Sequence, residues 1–311
     1  IYGMTMALGT DTARRASIHP DTRMGTVSLT VSDLARSRDF YERAVGLSAV
    51  EGDDGSVGLG VEPGAPPLVS LYGDASAPPL NRRATGLYHL AILLPTRRDL
   101  AFALARLARN RWPLDGASDH LVSEALYLSD PDGNGIEIYR DRPRPEWRER
   151  DGQLEMATIP LDLDGVLAAL EGETSVPDRM PSGTTMGHVH LQVSDIESAE
   201  RFYNGVLGFD VTVRGYPGAL FVSAGGYHHH LGLNTWHSAG SGPAARGSVG
   251  LRSFEVVLPN ADEVAAVLDR VRAAGLEAEM VGDSNGSGAG ASASVLDPSG
   301  NTVLLRSAPV R

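Results

Sequence analysis

Asp130-Pro-Asp-Gly-Asn-Gly-Ile-Glu-Ile-Tyr139 has an internal copy, Asp297-Pro-Ser-Gly-Asn-Thr-Val-Leu-Leu305, and the difference between the two decides how the chain is read. Counted from each proline, Glu137 in the first falls opposite Leu304 in the second. A leucine there is what a structural strand needs, whereas a carboxylate is costly to bury unless it is paired or coordinates a metal. Glu137 therefore needs its own reason, and a metal ion is the candidate.

The copy is one part of a longer repetition. Met24-Gly-Thr-Val-Ser-Leu-Thr-Val-Ser-Asp33 recurs as Met186-Gly-His-Val-His-Leu-Gln-Val-Ser-Asp195. An aromatic pair follows each aspartate at the same distance, Phe40-Tyr41 and Phe202-Tyr203, and then Gly46-Leu47 and Gly208-Phe209. A second pair interleaves with the first: Gly86-Leu-Tyr-His-Leu-Ala-Ile-Leu-Leu-Pro95 matches Gly250-Leu-Arg-Ser-Phe-Glu-Val-Val-Leu-Pro259. The chain thus divides into an N-terminal arm (1–23), module one (24–72), module two (86–140), a connecting segment (141–186), module three (187–235) and module four (250–306).

Within a module the periods are plain. Val189, Leu191 and Val193 alternate with His188, His190 and Gln192, a strand with one apolar and one polar face. Asp195 then offers a helix N-cap, and Ala199, Phe202, Tyr203 and Val206 fall at helical spacing. In module two a helix is expected over 98–110, with Leu100, Leu104 and Leu107 on one side. Strands over 220–224 and 227–234 follow in module three. Each module reads as strand, helix and about three strands, a βαβββ unit, which makes the fold class α+β. The connecting segment, with a short helix over 163–170, is long enough to carry the chain across a domain.

At 311 residues the chain suits two domains of roughly 150 residues each. No run of about 18 apolar residues exists, so no membrane span is expected. The arm has no apolar stretch followed by a cleavage site and reads as a loose tail, which places the chain in the cytoplasm. A net charge of -12 at pH 7 repels a phosphate backbone and argues against nucleic acid as a partner. With no cysteine, any metal must be held by His, Asp, Glu or other oxygen donors.

Four such modules, the Asp-Pro-x-Gly-Asn strands and the Gly-His-Val-His-Leu opening together resemble the vicinal oxygen chelate superfamily. Within it the chain looks most like two-domain extradiol dioxygenases of the catechol 2,3-dioxygenase type. The resemblance covers nearly everything from His19 to Arg306. It implies two glyoxalase/dioxygenase-like domains, each a cupped mixed sheet made by two modules, with a metal on the concave face. One fold hosts many chemistries, so the site must carry the functional argument.

Carried over position by position, the first-strand ligand is His188 in module three but Thr26 in module one. The matching residues of modules two and four are His89 and Ser253, and the last-strand position holds Glu137 or Leu304. His89, Glu137 and His188 survive, a 2-His-1-carboxylate set suited to Fe(II), with Mn(II) able to replace it. All three come from modules two and three. If modules pair in sequence order, neither cup is complete. If module two pairs with three and one with four, one cup holds the whole set and the other is structural, and this pairing is the expectation.

The resemblance also suggests acid–base residues. Tyr127 stands where such dioxygenases carry a tyrosine touching substrate or oxygen, and His120 lies near a histidine position beside the site, two residues out of register. In Tyr227-His-His-His230 the resemblance puts the catalytic base at His229. Simple strand alternation instead places His228 and His230 on the polar side, and a bulge before Leu231 would reconcile the two. His190, His228 and His230 are read as substrate-binding residues. His19 and His237 are read as structural or exposed, and the glycine-rich run 282–290 as a hairpin connection. The function implied is cleavage of a catechol-like aromatic diol by O2. Its alternatives are a glyoxalase-like isomerase or lyase, and a non-catalytic protein that binds an aromatic drug. A homo-oligomer is compatible with each.

Overall fold

The aspartate that opens each Asp-Pro-x-Gly-Asn stretch is a buried acceptor that builds the turn. In the computed structural model, which describes residues 17–62, 64–281 and 292–309, the backbone N–H groups of Asp132 and Asn134 donate to Asp130 Oδ1, both at 2.9 Å. Asn134 Nδ2 donates to Oδ2. The second copy repeats this with Ser299, Asn301 and Asp297, at 2.8 to 2.9 Å. The run 282–290, expected as a hairpin connection, lies outside the described residues.

Both aspartates also receive the tyrosine of the aromatic pair in the preceding module. Tyr203 OH donates to Asp297 at 2.8 Å, and Tyr41 OH reaches Asp130 at 3.5 Å. Two repeated motifs that are far apart in sequence are therefore hydrogen-bond partners. Helix ends are tied in the same pairing. Helix Leu34–Phe40 runs into a π-helical turn, Tyr41–Val45, that stops at Gly46, whose φ of 90° is strained for any residue with a Cβ. Gly208, with φ 92°, follows the matching turn of module three. Arginines of the next module donate to the carbonyls left open there: Arg106 to those of Ala44 and Val45, and Arg270 to those of Val206 and Leu207. Helices thus join module one to two, and three to four.

The sheets join the modules the other way round. Among the described residues one nine-stranded sheet runs Ile159–Pro160, Gly116–Asp119, Ser123–Ser129, Gly135–Asp141, Gly86–Leu94, Thr185–Gln192, Leu231–Asn234, Ala219–Ser223, Asp210–Val213. It contains modules two and three, joined by the antiparallel pair Gly86–Leu94 and Thr185–Gln192. An eight-stranded sheet joins modules one and four through Arg23–Val31 and Gly250–Leu258. Each central strand has a parallel neighbour on its outer side, so both sheets are mixed. Leu90, Ile92, Ile136, Ile138, Val189 and Leu191 are buried on one face of the nine-stranded sheet, and the histidines and Glu137 lie on the other.

Three local readings change. The helix of module two is Arg97–Arg109, capped by Thr96, and the helix of the connecting segment is Leu163–Ala168. The strand expected over 227–234 begins only at Leu231. Residues 224–230 instead form an irregular turn through Gly225 and Gly226, both at positive φ, in which Ala224 N–H donates to His230 Nδ1. Strand alternation therefore does not govern the three histidines.

The connecting segment does more than cross the molecule. Ile159–Pro160 extends the nine-stranded sheet beside Gly116–Asp119, and Met180 N–H donates to Gly46 O at 2.8 Å. No helix among the described residues is long and apolar enough to cross a membrane.

The turn chemistry predicts an ordered series of stabilities. Asp297→Ala orphans several buried donors at once and should cost about 2–4 kcal/mol in urea unfolding. Tyr203→Phe should cost about 1 kcal/mol, and Tyr41→Phe, which loses a longer bond, measurably less.

Candidate metal centre

Three strands side by side deliver the three ligand candidates. Ala91 is the register partner of both Glu137 and His188, so the two flank it across the sheet, while His89 lies two residues away on the same face. Alanine is small enough to leave room for the side chains that converge above it. His89 Nε2 and His188 Nε2 lie 3.0 Å and 3.1 Å from the same oxygen, Glu137 Oε2. His188 forms a hydrogen bond there, whereas His89 comes equally close at an angle that makes none. All three residues are buried, and their ligand atoms lie within 4.8 Å of one another.

This donor set fits a metal ion. Burial alone would raise the Glu137 carboxyl, but the facing His188 and His89 overcome it and hold the carboxyl well below the usual range. Burial lowers His188 to about 4, against the pull of Glu137. A buried carboxylate facing two imidazoles, one with an unsatisfied Nε2, can offer three lone pairs to one point once an ion takes the place of the hydrogen between His188 and Glu137. That is what a divalent cation requires and what a packed core avoids.

A cavity of about 610 Å³ opens over these atoms. His120, Tyr127, His190 and His229 border it together with the three ligand candidates. His120 Nδ1 stands 2.7 Å from Ala157 O and must donate to it, so its Nε2 accepts the Tyr127 hydroxyl at 2.6 Å. Burial, and then Glu137, raise Tyr127 well above its ordinary value, so it keeps its proton. The His120 position, two residues out of register in the sequence, nonetheless reaches the site, because the connecting segment supplies Ala157 O as its anchor.

The histidine run divides. His229 borders the cavity, its ring 4.1 Å from that of His188, while His228 and His230 stand behind the wall and do not border it. His230 Nδ1 is occupied by Ser223 and Ala224, and His228 is bound to Asp141. Burial and the neighbouring histidines push His229 and His190 well below 6.5, leaving both neutral. The imidazole of His190 lies over Gly232, where a Cβ would meet it at 2.8 Å, and its Nε2 has no partner. His19 accepts from Asp21 in a surface turn, and His237 is exposed.

Several wall residues carry no mark in the sequence. Tyr88, Tyr216, Phe221 and Trp236 supply aromatic walls, and Met156, Ala157 and Thr158 bring the connecting segment over the mouth. Thr158 Oγ1 and Tyr216 OH, 3.0 Å apart, tie that segment to module three. Only strand pairing places these residues together, and no local pattern announces it. The other cup encloses a larger cavity, about 1930 Å³, but presents Thr26, Ser253 and Leu304 where the first has its ligands.

Comparison with known proteins agrees with this fold. The family model described as Glyoxalase/Bleomycin resistance protein/Dioxygenase superfamily matches residues 23–138 and 185–305. A protein of Bacillus subtilis (strain 168) named catechol-2,3-dioxygenase is 47% identical over 269 residues, 85% of this chain and 92% of the relative. Among solved structures, a candidate dioxygenase from Bacillus subtilis subsp. subtilis str. 168 superposes with a TM-score of 0.64 at 15% identity, covering 95% of this chain and 87% of that one. Glyoxalase I from Zea mays superposes at 0.55 with 16% identity, covering 92% of each chain. These two likenesses show the fold.

Removing one ligand at a time should separate the two cups. His89→Ala, Glu137→Ala and His188→Ala should each lose the bound metal on elemental analysis, with circular dichroism unchanged. Ser253→Ala, at the matching position of the other cup, should keep its metal. Full metal retention in Glu137→Ala would overturn the assignment.

Proposed function

Because the chain belongs to the glyoxalase/bleomycin resistance protein/dioxygenase superfamily and shares 47% identity with a catechol-2,3-dioxygenase over most of its length, we propose that it is an extradiol dioxygenase. It opens the ring of a catechol-like aromatic beside its two hydroxyls, and both atoms of O2 enter the product. The single observation that carries this reading is the convergence of two imidazoles and one carboxylate at the floor of an aromatic-walled cavity. That donor set is the one found in non-haem Fe(II) oxygenases, which is why iron is the metal proposed. Iron held by these three side chains would supply the one-electron chemistry that lets O2 react with an organic ring.

The chain's own groups do the rest. His89, Glu137 and His188 hold the ion. Neutral His229 borders the cavity, and its unprotonated ring nitrogen can take a proton from a substrate hydroxyl as the diol binds. The Tyr127 hydroxyl, fixed by His120, is placed to hydrogen-bond a substrate or reacting oxygen at the opposite wall. Tyr88, Phe221 and Trp236 provide faces and edges for an aromatic ring. His190 Nε2, buried and without a partner, is a hydrogen-bonding group held ready for the substrate. The cavity size suits a single small molecule. A non-catalytic, drug-binding protein of the same fold would have no use for the buried ligand set.

Protein purified without oxygen should contain iron and, on addition of catechol and O2, form a yellow ring-opened product. Chelation should abolish the reaction and Fe(II) restore it. Iron-loaded protein that binds catechol without opening it, or manganese as the resident metal, would overturn this reading or its metal. His229→Asn should lower kcat by about 10²–10⁴-fold while leaving the metal content unchanged.

A further inference from the structure

The strand that carries Glu137 also carries Asp141 on the same face, four residues on, with Tyr139 between them. Asp141 Oδ1 lies 2.8 Å from His228 Nε2, and His228 Nδ1 lies 2.7 Å from His229 Nδ1. A carboxylate oxygen accepts, so the His228 hydrogen sits on Nε2 and its Nδ1 is free to accept. In the arrangement where His228 accepts at Nδ1, the hydrogen between the rings sits on His229 Nδ1, and the lone pair of His229 is left on Nε2. Resting on the assignment of His229 as the base, we propose that Asp141 and His228 are positioning residues that hold His229 in its Nδ1–H tautomer with Nε2 as the proton acceptor.

The surroundings make this chain stiff. Tyr227 OH donates to Asp141 Oδ1 at 3.1 Å and is itself 2.7 Å from Tyr139 OH, so the carboxylate is held from two sides. His228 is fully buried, with the Trp147 ring edge-on to it at 5.2 Å. Trp147 is held in turn by its Nε1–H donating to Arg142 O. Glu137 and Asp141 thus fix the metal ligand and the orientation of the base from one strand. This gives the histidine pair 228–229 a reason beyond lining the cavity. Only His229 faces substrate, and His228 transmits the direction imposed by Asp141.

The test reads tautomer and kinetics separately. In the full chain loaded with diamagnetic Zn(II), proton–nitrogen correlation spectra of the imidazoles, assigned by loss in His229→Asn, should show His229 as the Nδ1–H form. Asp141→Ala should dissolve that single form. In the iron-loaded enzyme Asp141→Ala should lower kcat about tenfold or more, with KM and metal content within about twofold of wild type. His228→Asn, whose amide oxygen takes the place of the Nδ1 acceptor, should retain much more activity than the apolar His228→Phe. An Nε2–H form in wild type, unchanged kcat in Asp141→Ala, or equal losses in the two His228 variants would overturn the proposal. Absence of ring cleavage in wild type would count against the dioxygenase reading instead, since the tautomer is read without turnover.

Discussion

One carboxylate oxygen organises the catalytic half of this protein. Glu137 Oε2 sits about 3 Å from two imidazole nitrogens, buried at the floor of the cavity. Burying a carboxylate is tolerated only when charge or coordination answers it, and here the answering groups come from two other strands. The pairing of Gly86–Leu94 with Thr185–Gln192 is therefore more than a way to extend a sheet. It is the contact that closes the ligand set.

That contact has a consequence for the whole chain. Modules two and three share a sheet, so module one must pair with module four, and the four units form a ring in which sheets and helices alternate as the joints. Arg106 and Arg270 cap the helical turns across the helix joints, and Tyr41 and Tyr203 reach the turn aspartates there. The long segment between modules two and three, needed to make the crossing, is put to use as a wall of the cavity, with Ala157 O orienting His120 and Met156 facing substrate space. The second cup keeps the architecture without the ligands.

Much of this is legible in the chain because it is periodic or repeated. The Asp-Pro-x-Gly-Asn copies expose Glu137 against Leu304, and alternation puts His188 and His190 on the face away from Val189 and Leu191. What is not legible depends on contacts between distant residues or on irregular backbone. The turn through Gly225 and Gly226 takes His228 to His230 out of strand geometry, so alternation there picks out side chains that do not border the cavity. Asp141 stands at a strand end, where a carboxylate is ordinary, and its pairing with His228 is visible only in space. Trp236 and Tyr216 reach the cavity through the sheet order of module three, which no local spacing records.

The central claim is that a metal sits where the second and third modules meet. Anomalous diffraction on both sides of the iron absorption edge, from crystals grown without oxygen, tests it directly. One strong peak is expected in contact with His89, Glu137 and His188. A peak in the cup of Thr26, Ser253 and Leu304, or none at the triad in crystals whose dissolved protein still cleaves catechol, would contradict it.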